Sequence, residues 1–286
     1  MRLIILSILI TFSASLFSQS LSPEKVAKIK SSTVQIITDS MEGTGFFINS
    51  KGTIATCLHV ILNALTYKTP IRARNNKGEI IELELPQFTD SGTVYAVAYD
   101  LCILTPKNTF TKTVSFLKFG DFNKLQEGQE IYTCGYPFGD TSQFISKGII
   151  STKMARPSTA NFPGLSITKM RQELLLDLTS NHGNSGGALM KLNPLSKDDE
   201  IIGIIDYTIT PLSKKLDSIT NVLSQSNWAG ISFGTTTDAN GQVISGGYNP
   251  ITTSLLFASF FNTITYGING AVSVNHLSQL IKEMKK

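Results

Sequence analysis

The sequence is poor in cysteine and in charge, and these shortages exclude two classes of protein. Its 286 residues include three cysteines, Cys57, Cys102 and Cys134. This small odd number excludes a disulfide scaffold and leaves at most one bridge within the chain, with buried free thiols as the alternative. Charged residues make up 16% of the chain, the net charge is +4, and Lys and Arg are scattered. We therefore expect no nucleic-acid partner.

Long apolar runs are also missing, except for a short one at the N-terminus. Arg2 precedes an apolar run from Leu3 to about Phe12, and small residues follow as far as Ser18. This order is typical of a secretory signal peptide, which we predict over residues 1–18. The run falls short of the roughly 20 residues that cross a bilayer. We expect no stable membrane span and an exported protein, either periplasmic or extracellular.

The rest of the chain favours an all-β fold. Short apolar or alternating runs separated by glycine and asparagine predict ten or more strands, which is typical of sandwiches and barrels. The runs include VQIIT (34–38), TGFFINS (44–50), TIATCLHVI (53–61), EIIELEL (79–85), DLCILTP (100–106), QEIYTCGYP (129–137), FISKGIIST (144–152), ELLLDLTS (173–180), EIIGIIDYTI (200–209) and INGAVSV (268–274). Helical spacing is confined to the two ends, near residue 23 and after residue 274. Residues 154–170 contain two prolines and predict a loop.

Residues 210–267 form a long stretch rich in Ser, Thr, Asn and Gly. Stretches of this length without secondary structure are uncommon in compact domains and usually carry function or a small substructure. Its apolar residues either pack as a separate small core, which we favour, or form an exposed patch that binds a partner or substrate. They are Leu255, Leu256, Phe257, Phe260 and Phe261.

One histidine, one aspartate and one serine have the properties that nucleophilic catalysis requires. A serine nucleophile needs a general base, a group that orients the base, and amide donors for the developing oxyanion. His59 follows an apolar strand, Asp100 directly precedes another, and Ser185 lies in the glycine-rich turn GNSGG. In that turn, the amides of Gly183 and Ser185 are the candidate oxyanion donors. This pattern predicts a catalytic triad of His59, Asp100 and Ser185.

The blocks around these residues carry a family resemblance. GTGFFINSKGTIATCLHVI includes His59, YDLCILTP includes Asp100, and LLLDLTSNHGNSGGALM includes Ser185. Together with EIIGII and the closing INGAVSVNHLSQLI, they resemble the trypsin-fold serine peptidases, in particular the HtrA-like bacterial branch. The resemblance covers about residues 24–209 and 267–284.

The resemblance implies a fold of two antiparallel six-stranded β-barrels with a short N-terminal helix and a C-terminal helix. The first barrel would span residues 19–122. The second would span residues 123–286 and carry the insertion 210–267 and the C-terminal helix. His59 would be the base, Asp100 its orienting group and Ser185 the nucleophile, with no cofactor and no metal.

The resemblance also gives expectations about regulation and substrate. Asn184 replaces the aspartate that pairs with a newly cut N-terminus in digestive zymogens, so we expect no activation of that kind. We also expect no PDZ domain. Four residues are candidates for substrate binding: Thr179, His182, Asp206 and Tyr207. Thr179 is neutral, so cleavage after Lys or Arg is not expected, and His182 is either a plain surface residue or a group that favours an acidic substrate residue.

These expectations combine into a secreted or periplasmic serine endopeptidase that hydrolyses exported polypeptides through an acyl-enzyme. A homo-oligomer is left open. One alternative is a catalytically silent trypsin-fold binding protein whose cleft or oxyanion loop is blocked. Another is an acyl-transfer enzyme that acts on a non-peptide ester.

Overall fold

A computed structural model describes residues 21–108, 114–162, 165–193, 199–209, 231–237, 243–248 and 268–284. The predicted signal peptide lies outside these residues. Among the described helices, none is long and apolar enough to cross a membrane.

The first half of the chain forms a closed barrel of six antiparallel strands in the order β1-β2-β3-β6-β5-β4. Burial alternates along two of its strands, Ile71–Arg74 and Ile80–Glu84, as expected for strands with one face in a core. The other four strands are buried along most of their length. The strands are β1 (Thr33–Ile37), β2 (Glu42–Phe47), β3 (Ile54–Cys57), β4 (Ile71–Arg74), β5 (Ile80–Glu84) and β6 (Leu101–Pro106).

The second half forms a seven-stranded sheet in the order β11-β8-β9-β10-β15-β12-β7. Because β11 also pairs with β12, six of these strands close on themselves, and β7 joins β12 in parallel. The prediction of an all-β protein with two barrels is thereby confirmed. The strands are β7 (Lys118–Phe119), β8 (Glu130–Gly135), β9 (Phe144–Phe162), β10 (Leu165–Asp177), β11 (Ala188–Lys191), β12 (Glu200–Ile209) and β15 (Ile268–Ser273).

Within the predicted insertion, β13 (Ile231–Thr237) and β14 (Val243–Tyr248) form a separate antiparallel pair. The five apolar residues at positions 255–261 lie outside the described residues, so both interpretations of them stay predictions.

The helices correct the prediction that helical structure is confined to the two ends. The terminal helices α1 (Pro23–Ser32) and α4 (Val274–Lys282) are present, but α2 (Leu58–Tyr67) and α3 (Asp90–Tyr99) lie inside the first half. The run TIATCLHVI predicts one strand, whereas only Ile54–Cys57 is strand and the helix begins at the next residue. The apolar letters continue across this junction without a break, so their spacing does not reveal it.

The prediction of a loop over residues 154–170 is wrong. Strands β9 and β10 form one long hairpin through this region, with Pro157 opposite Met170. Strand β8 pairs with β9 only as far as Ile149. Beyond that point the outer edge of β9 has no strand partner among the described residues, and proline is tolerated at such an edge. The Ser158 hydroxyl donates to the Ala98 carbonyl at 2.6 Å, so the hairpin arm packs against α3.

All three cysteines are buried, free thiols. Of the two states left open by the sequence, the structure has the unpaired one. Burial raises the pKa of the Cys134 thiol to about 12 and raises those of Cys57 and Cys102 as well. Thiols of this kind are poor nucleophiles, because the thiolate is the reactive form.

His276 on α4 is a buried neutral histidine. Its ring stacks on Tyr99 at 3.9 Å, and its Nε2 accepts the Gln172 backbone N–H at 2.9 Å. Burial, with a smaller effect of the Arg171 charge, lowers its pKa from 6.5 to about 4. Below pH 6.5 the unfolded chain therefore binds a proton at His276, whereas the native chain binds it only below about pH 4. Stability must fall as the pH drops through that window.

We expect the free energy of unfolding to fall by up to about 3 kcal/mol between pH 7 and pH 4 through His276 alone. His276→Gln keeps an acceptor for Gln172 but removes the titration, so its stability should depend less on pH over this range. Urea unfolding at a series of pH values measures both slopes. His182→Gln, which changes an exposed histidine, should keep the parent slope. Equal slopes for parent and His276→Gln would contradict the assignment.

Candidate active site

His59 lies in the first turn of α2 and is held there by Asp100. The ring Nδ1 is 2.5 Å from Asp100 Oδ2, and the His59 backbone N–H donates to Asp100 Oδ1 at 2.8 Å. The histidine side chain is 38% exposed and the aspartate side chain 24%. One edge of the imidazole therefore contacts a carboxylate while the rest of the ring stays open to solvent. The structure brings this predicted pair together.

Asp100 also terminates α3 and supports the start of α2. It has left-handed backbone angles, φ 54° and ψ 42°, which aspartate adopts more readily than most residues. Its backbone carbonyl accepts the Leu58 N–H at 3.1 Å, next to the His59 N–H bound by its side chain. Amides in the first turn of a helix have no partner within the helix, and negative charge is favoured there. The start of α2 thus fixes the carboxylate against the imidazole.

Ser185 lies in the turn between β10 and β11, and hydrogen bonds hold this turn to both halves of the chain. The Ser185 carbonyl accepts the Thr44 N–H from the first barrel at 2.9 Å. On its other side, the Gly186 N–H donates to the Ile205 carbonyl at 2.8 Å. Gly186 has φ 86°, where a side chain is strained, and a Cβ there would collide with Thr44 and Thr56. The glycine therefore allows the nucleophile turn to approach the first barrel.

The Ser185 hydroxyl donates to the Asp206 backbone carbonyl at 3.2 Å. Among the described residues, no hydrogen bond joins Ser185 to His59. Both residues contact Asp206 on β12, because His59 Nδ1 is 3.8 Å from Asp206 Oδ1 while the Asp206 carbonyl binds the serine hydroxyl. Catalytic hydrogen bonds are often long or absent until substrate binds.

The peptide bond between His182 and Gly183 has a defined direction. The His182 carbonyl accepts the Phe138 N–H at 2.6 Å. In a trans peptide the carbonyl and the following N–H point to opposite sides, and none of the described peptide bonds is cis. The Gly183 N–H therefore points away from Phe138. In the part of the chain that the structure describes, no acceptor pairs with the Gly183 or Ser185 amide.

The four candidate substrate-binding residues lie in different environments. Thr179 and His182 are exposed, Asp206 is buried, and Tyr207 lies on strand β12. His182 and Gly183 border an open groove beside the nucleophile turn. The other residues that line this groove are Thr38, Asp39, Ser40, Met41, Glu42, Phe138 and Gly139.

A chain of buried charges behind His59 was not expected from the sequence. Asp206 forms an ion pair with Arg171, and Arg171 Nε is 2.6 Å from the Glu173 carboxylate. Glu173 is fully buried and also binds Arg156 Nε at 2.7 Å. Charged residues in a buried strand must be paired, since an isolated buried charge is costly. Sequence spacing gave no signal that Arg171 and Asp206 meet, because they lie on different strands of the second barrel.

Four potential metal ligands meet at this point: Cys57, His59, Asp100 and Asp206, whose ligand atoms all lie within 4.8 Å. Two features oppose a cation there. The guanidinium of Arg171 already pairs with Asp206, and burial together with the Asp100 charge raises the pKa of the Cys57 thiol well above its usual range. We therefore draw no metal site from this cluster.

Thr44 is a further residue that the sequence analysis did not single out. Its hydroxyl donates to the Gly183 carbonyl at 2.6 Å and accepts the Tyr136 N–H at 3.0 Å. With its backbone bond to Ser185, it contacts both residues proposed to supply oxyanion amides. A polar residue between two glycines in an otherwise apolar buried strand was the available signal.

Comparisons with known proteins identify the family of this chain. The profile of the trypsin-like peptidase domain matches residues 43–204. The chain is 29% identical over 174 residues to the probable periplasmic serine endoprotease DegP-like of Rickettsia prowazekii, covering 61% of this chain and 29% of that protein. It is 31% identical over 170 residues to the periplasmic pH-dependent serine endoprotease DegQ of Escherichia coli, covering 59% and 32%. The chain thus spans about a third of the length of these curated relatives.

Solved structures agree on the fold. The Rv3671c protease from M. tuberculosis in its active form superposes with a TM-score of 0.58 at 15% identity, over 92% of this chain and 84% of that one. Sequence identity at this level supports a common fold and nothing finer.

Proposed function

Because the chain belongs to the trypsin-like peptidase domain family, we propose that it is a serine endopeptidase that uses Ser185, His59 and Asp100. The observation that carries the proposal is the His59–Asp100 contact, in which the carboxylate is bound to Nδ1 and to the backbone N–H of the same histidine. This leaves Nε2 as the nitrogen that accepts a proton. The family profile and the serine endoproteases among the relatives support the same class of reaction.

The reaction begins when the Ser185 hydroxyl turns from the Asp206 carbonyl toward His59. Nε2 takes the hydroxyl proton while Oγ bonds to the scissile carbonyl carbon, and the carbonyl π electrons move to its oxygen. The imidazolium then gives the proton to the leaving amine as the C–N bond breaks. Water then attacks the acyl carbon while His59 takes one of its protons. The C–Oγ bond breaks, Oγ takes that proton back from the imidazolium, and the carboxylic acid product leaves. Asp100 stabilises the imidazolium and fixes its tautomer.

The amides of Gly183 and Ser185 are proposed to hold the oxyanion. The direction of the Gly183 N–H, opposite to the carbonyl bound by Phe138, supports this role. Amide donors aimed at developing negative charge are among the largest contributions in acyl transfer. Thr179, His182 and Tyr207 are kept as proposed contacts to substrate near this point. The Asp206 side chain is buried against Arg171, so Asp206 is kept as a contact to substrate through its backbone only.

We further propose that the substrates are exported polypeptides and that the protein itself is periplasmic or extracellular. Two features support this assignment: the N-terminal pattern of residues 1–18 and the word periplasmic in the names of the relatives. We propose that the protein has no nucleic-acid partner, and its oligomeric state is left open.

Labelling with a fluorophosphonate tests the proposed function. The purified mature chain is treated with the reagent, and mass spectrometry identifies the modified residue. We expect modification of Ser185, since such reagents report an activated serine. A folded chain that stays unmodified would favour the silent binding protein, for which the resting bond of Ser185 to Asp206 is the supporting observation.

We expect Thr44→Val to lower kcat about 10- to 100-fold with little change in KM, by loosening the turn that holds the oxyanion donors. The substitution removes the donor to Gly183 and leaves the buried Tyr136 N–H without its acceptor. Steady-state kinetics on a peptide substrate measure the split. Thr44→Ser keeps the hydroxyl and should retain most of the activity. A Thr44→Val protein with parental kcat would refute the role.

A further inference from the structure

A buried ion pair lies directly behind the proposed catalytic base. Asp206 Oδ1 is 3.8 Å from His59 Nδ1, and the other carboxylate oxygen pairs with Arg171. The Asp206 and Arg171 side chains are 7% and 8% exposed. Two carboxylates, those of Asp100 and Asp206, thus face the same edge of the imidazole, and the Asp206 carboxylate is paired with the Arg171 guanidinium.

Asp206 also touches the proposed nucleophile. Its backbone carbonyl accepts the Ser185 hydroxyl at 3.2 Å, and the preceding carbonyl, of Ile205, accepts the Gly186 N–H at 2.8 Å. The same residue therefore contacts the base through its side chain and the nucleophile through its backbone. A shift of Asp206 would therefore change the surroundings of both His59 and Ser185.

The charged and titratable groups around His59 come from several elements of both barrels. Asp100 faces it at the end of α3, and Cys57 precedes it, with its thiol 3.9 Å from Asp206 Oδ1. Arg171 reaches Asp206 from β10 and is itself bound by Glu173. Glu173 is compensated by Arg156, and His276, near Arg171, is neutral above about pH 4. The charges left to act on His59 are the Asp100 carboxylate and the Asp206–Arg171 pair.

We propose that Asp206 is a positioning residue for the triad, and that its pairing with Arg171 sets the proton affinity of His59. This inference rests on the proposed function. An unpaired Asp206 would add a second negative charge next to the imidazole and hold its proton too tightly for a base at neutral pH. The guanidinium cancels most of that charge, so the pair adds little net charge beside the imidazole and leaves Asp100 as the main carboxylate that stabilises the imidazolium formed during the reaction.

The two single variants should move the His59 pKa in opposite directions. Asp206→Asn leaves the Arg171 cation near the imidazole, so the pKa should fall by about one unit. Arg171→Gln leaves the Asp206 anion uncompensated, so the pKa should rise by about one unit. The double variant restores neutrality and should return close to the parent pKa. The acid limb of the kcat/KM profile should follow the same order.

NMR titration of the histidine ring gives a readout that does not depend on activity. The chain has three histidines, so His182→Gln and His276→Gln identify the two other signals. If His59 titrates as expected but no substrate is cut, the proposed peptidase function fails and the pairing stands. If the variants cut substrate but the His59 pKa stays the same in both, the positioning role is wrong and the function stands.

Two further measurements separate this role from simple damage to the fold. Arg171→Lys keeps the positive charge, so its His59 pKa should be close to that of the parent. If Arg171→Gln acted only through lost packing, the lysine variant would show the same change in the His59 pKa. Thermal unfolding shows which variants are folded. If Arg171→Gln does not fold, Asp206→Asn, which preserves the shape of the side chain, still gives the direction in which the His59 pKa changes. A rise in the His59 pKa on Asp206→Asn would overturn the proposal.

Discussion

Replacing Ser185 by alanine is expected to lower kcat for polypeptide cleavage at least about 10,000-fold and to abolish fluorophosphonate labelling. Without Oγ no acyl-enzyme forms, and the His59–Asp100 pair has no proton to accept. Because Ser185 lies in a turn held by backbone bonds to Thr44 and Ile205, losing its hydroxyl should leave the fold intact. Cleavage of a denatured protein, followed by gel electrophoresis and mass spectrometry, measures the effect.

A matched control makes this result specific. Ser151→Ala removes an exposed serine on β9 and should leave both labelling and cleavage unchanged. His59→Gln should lose labelling while Ser185 is still present, because the hydroxyl then lacks its base. A Ser185→Ala protein that cleaves at the parental rate would remove Ser185 from the mechanism.

The second large effect is expected at Gly186. An alanine there would have a strained φ of 86° and a Cβ in collision with the Thr44 carbonyl and the Thr56 hydroxyl. The nearest obstacle is backbone, which cannot rotate out of the way. We expect Gly186→Ala to lower the free energy of unfolding by about 3 to 5 kcal/mol, or to prevent folding, and to abolish labelling of Ser185.

Gly78→Ala isolates the backbone part of that cost. Gly78 has a nearly identical φ of 81°, and nothing lies within 4 Å of a Cβ built on it. We expect this control to cost about 1 kcal/mol and to retain labelling. Urea unfolding of both variants gives the difference due to the collision. Equal losses would mean that the turn can move away from the first barrel, and that Gly186 is needed only for its backbone angles.

The sequence predicted the proposed catalytic residues better than the elements and contacts that hold them in place. His59 follows an apolar strand, Asp100 directly precedes one, and Ser185 lies in a glycine-rich turn, and these features are local and visible in the sequence. The structure brings His59 and Asp100 together. The many short strands predicted an all-β fold, and the resemblance to the trypsin-fold peptidases implied the two barrels. At these positions the local sequence pattern agrees with the observed fold.

The supports were missed because they depend on contacts between distant segments. Helix α3 has the letters DSGTVYAVAY, rich in residues that favour strands, and its limits are set by a Thr89 cap and by Asp100. The β9–β10 hairpin contains a proline at an edge that only pairing reveals. Arg171 and Asp206 meet because β10 and β12 both pair with β15. No periodicity within one segment encodes such a meeting.

Thr44 gives the molecule a property that neither half possesses alone. It belongs to β2 of the first barrel, yet its amide and hydroxyl hold Ser185 and Gly183 of the second. Buried residues of both halves also share one hydrophobic core, which includes Phe46 of β2 and Tyr132 of β8. The proposed active site is therefore assembled only when the two barrels are packed together, and we expect activity to be lost in the same transition in which this shared core unfolds.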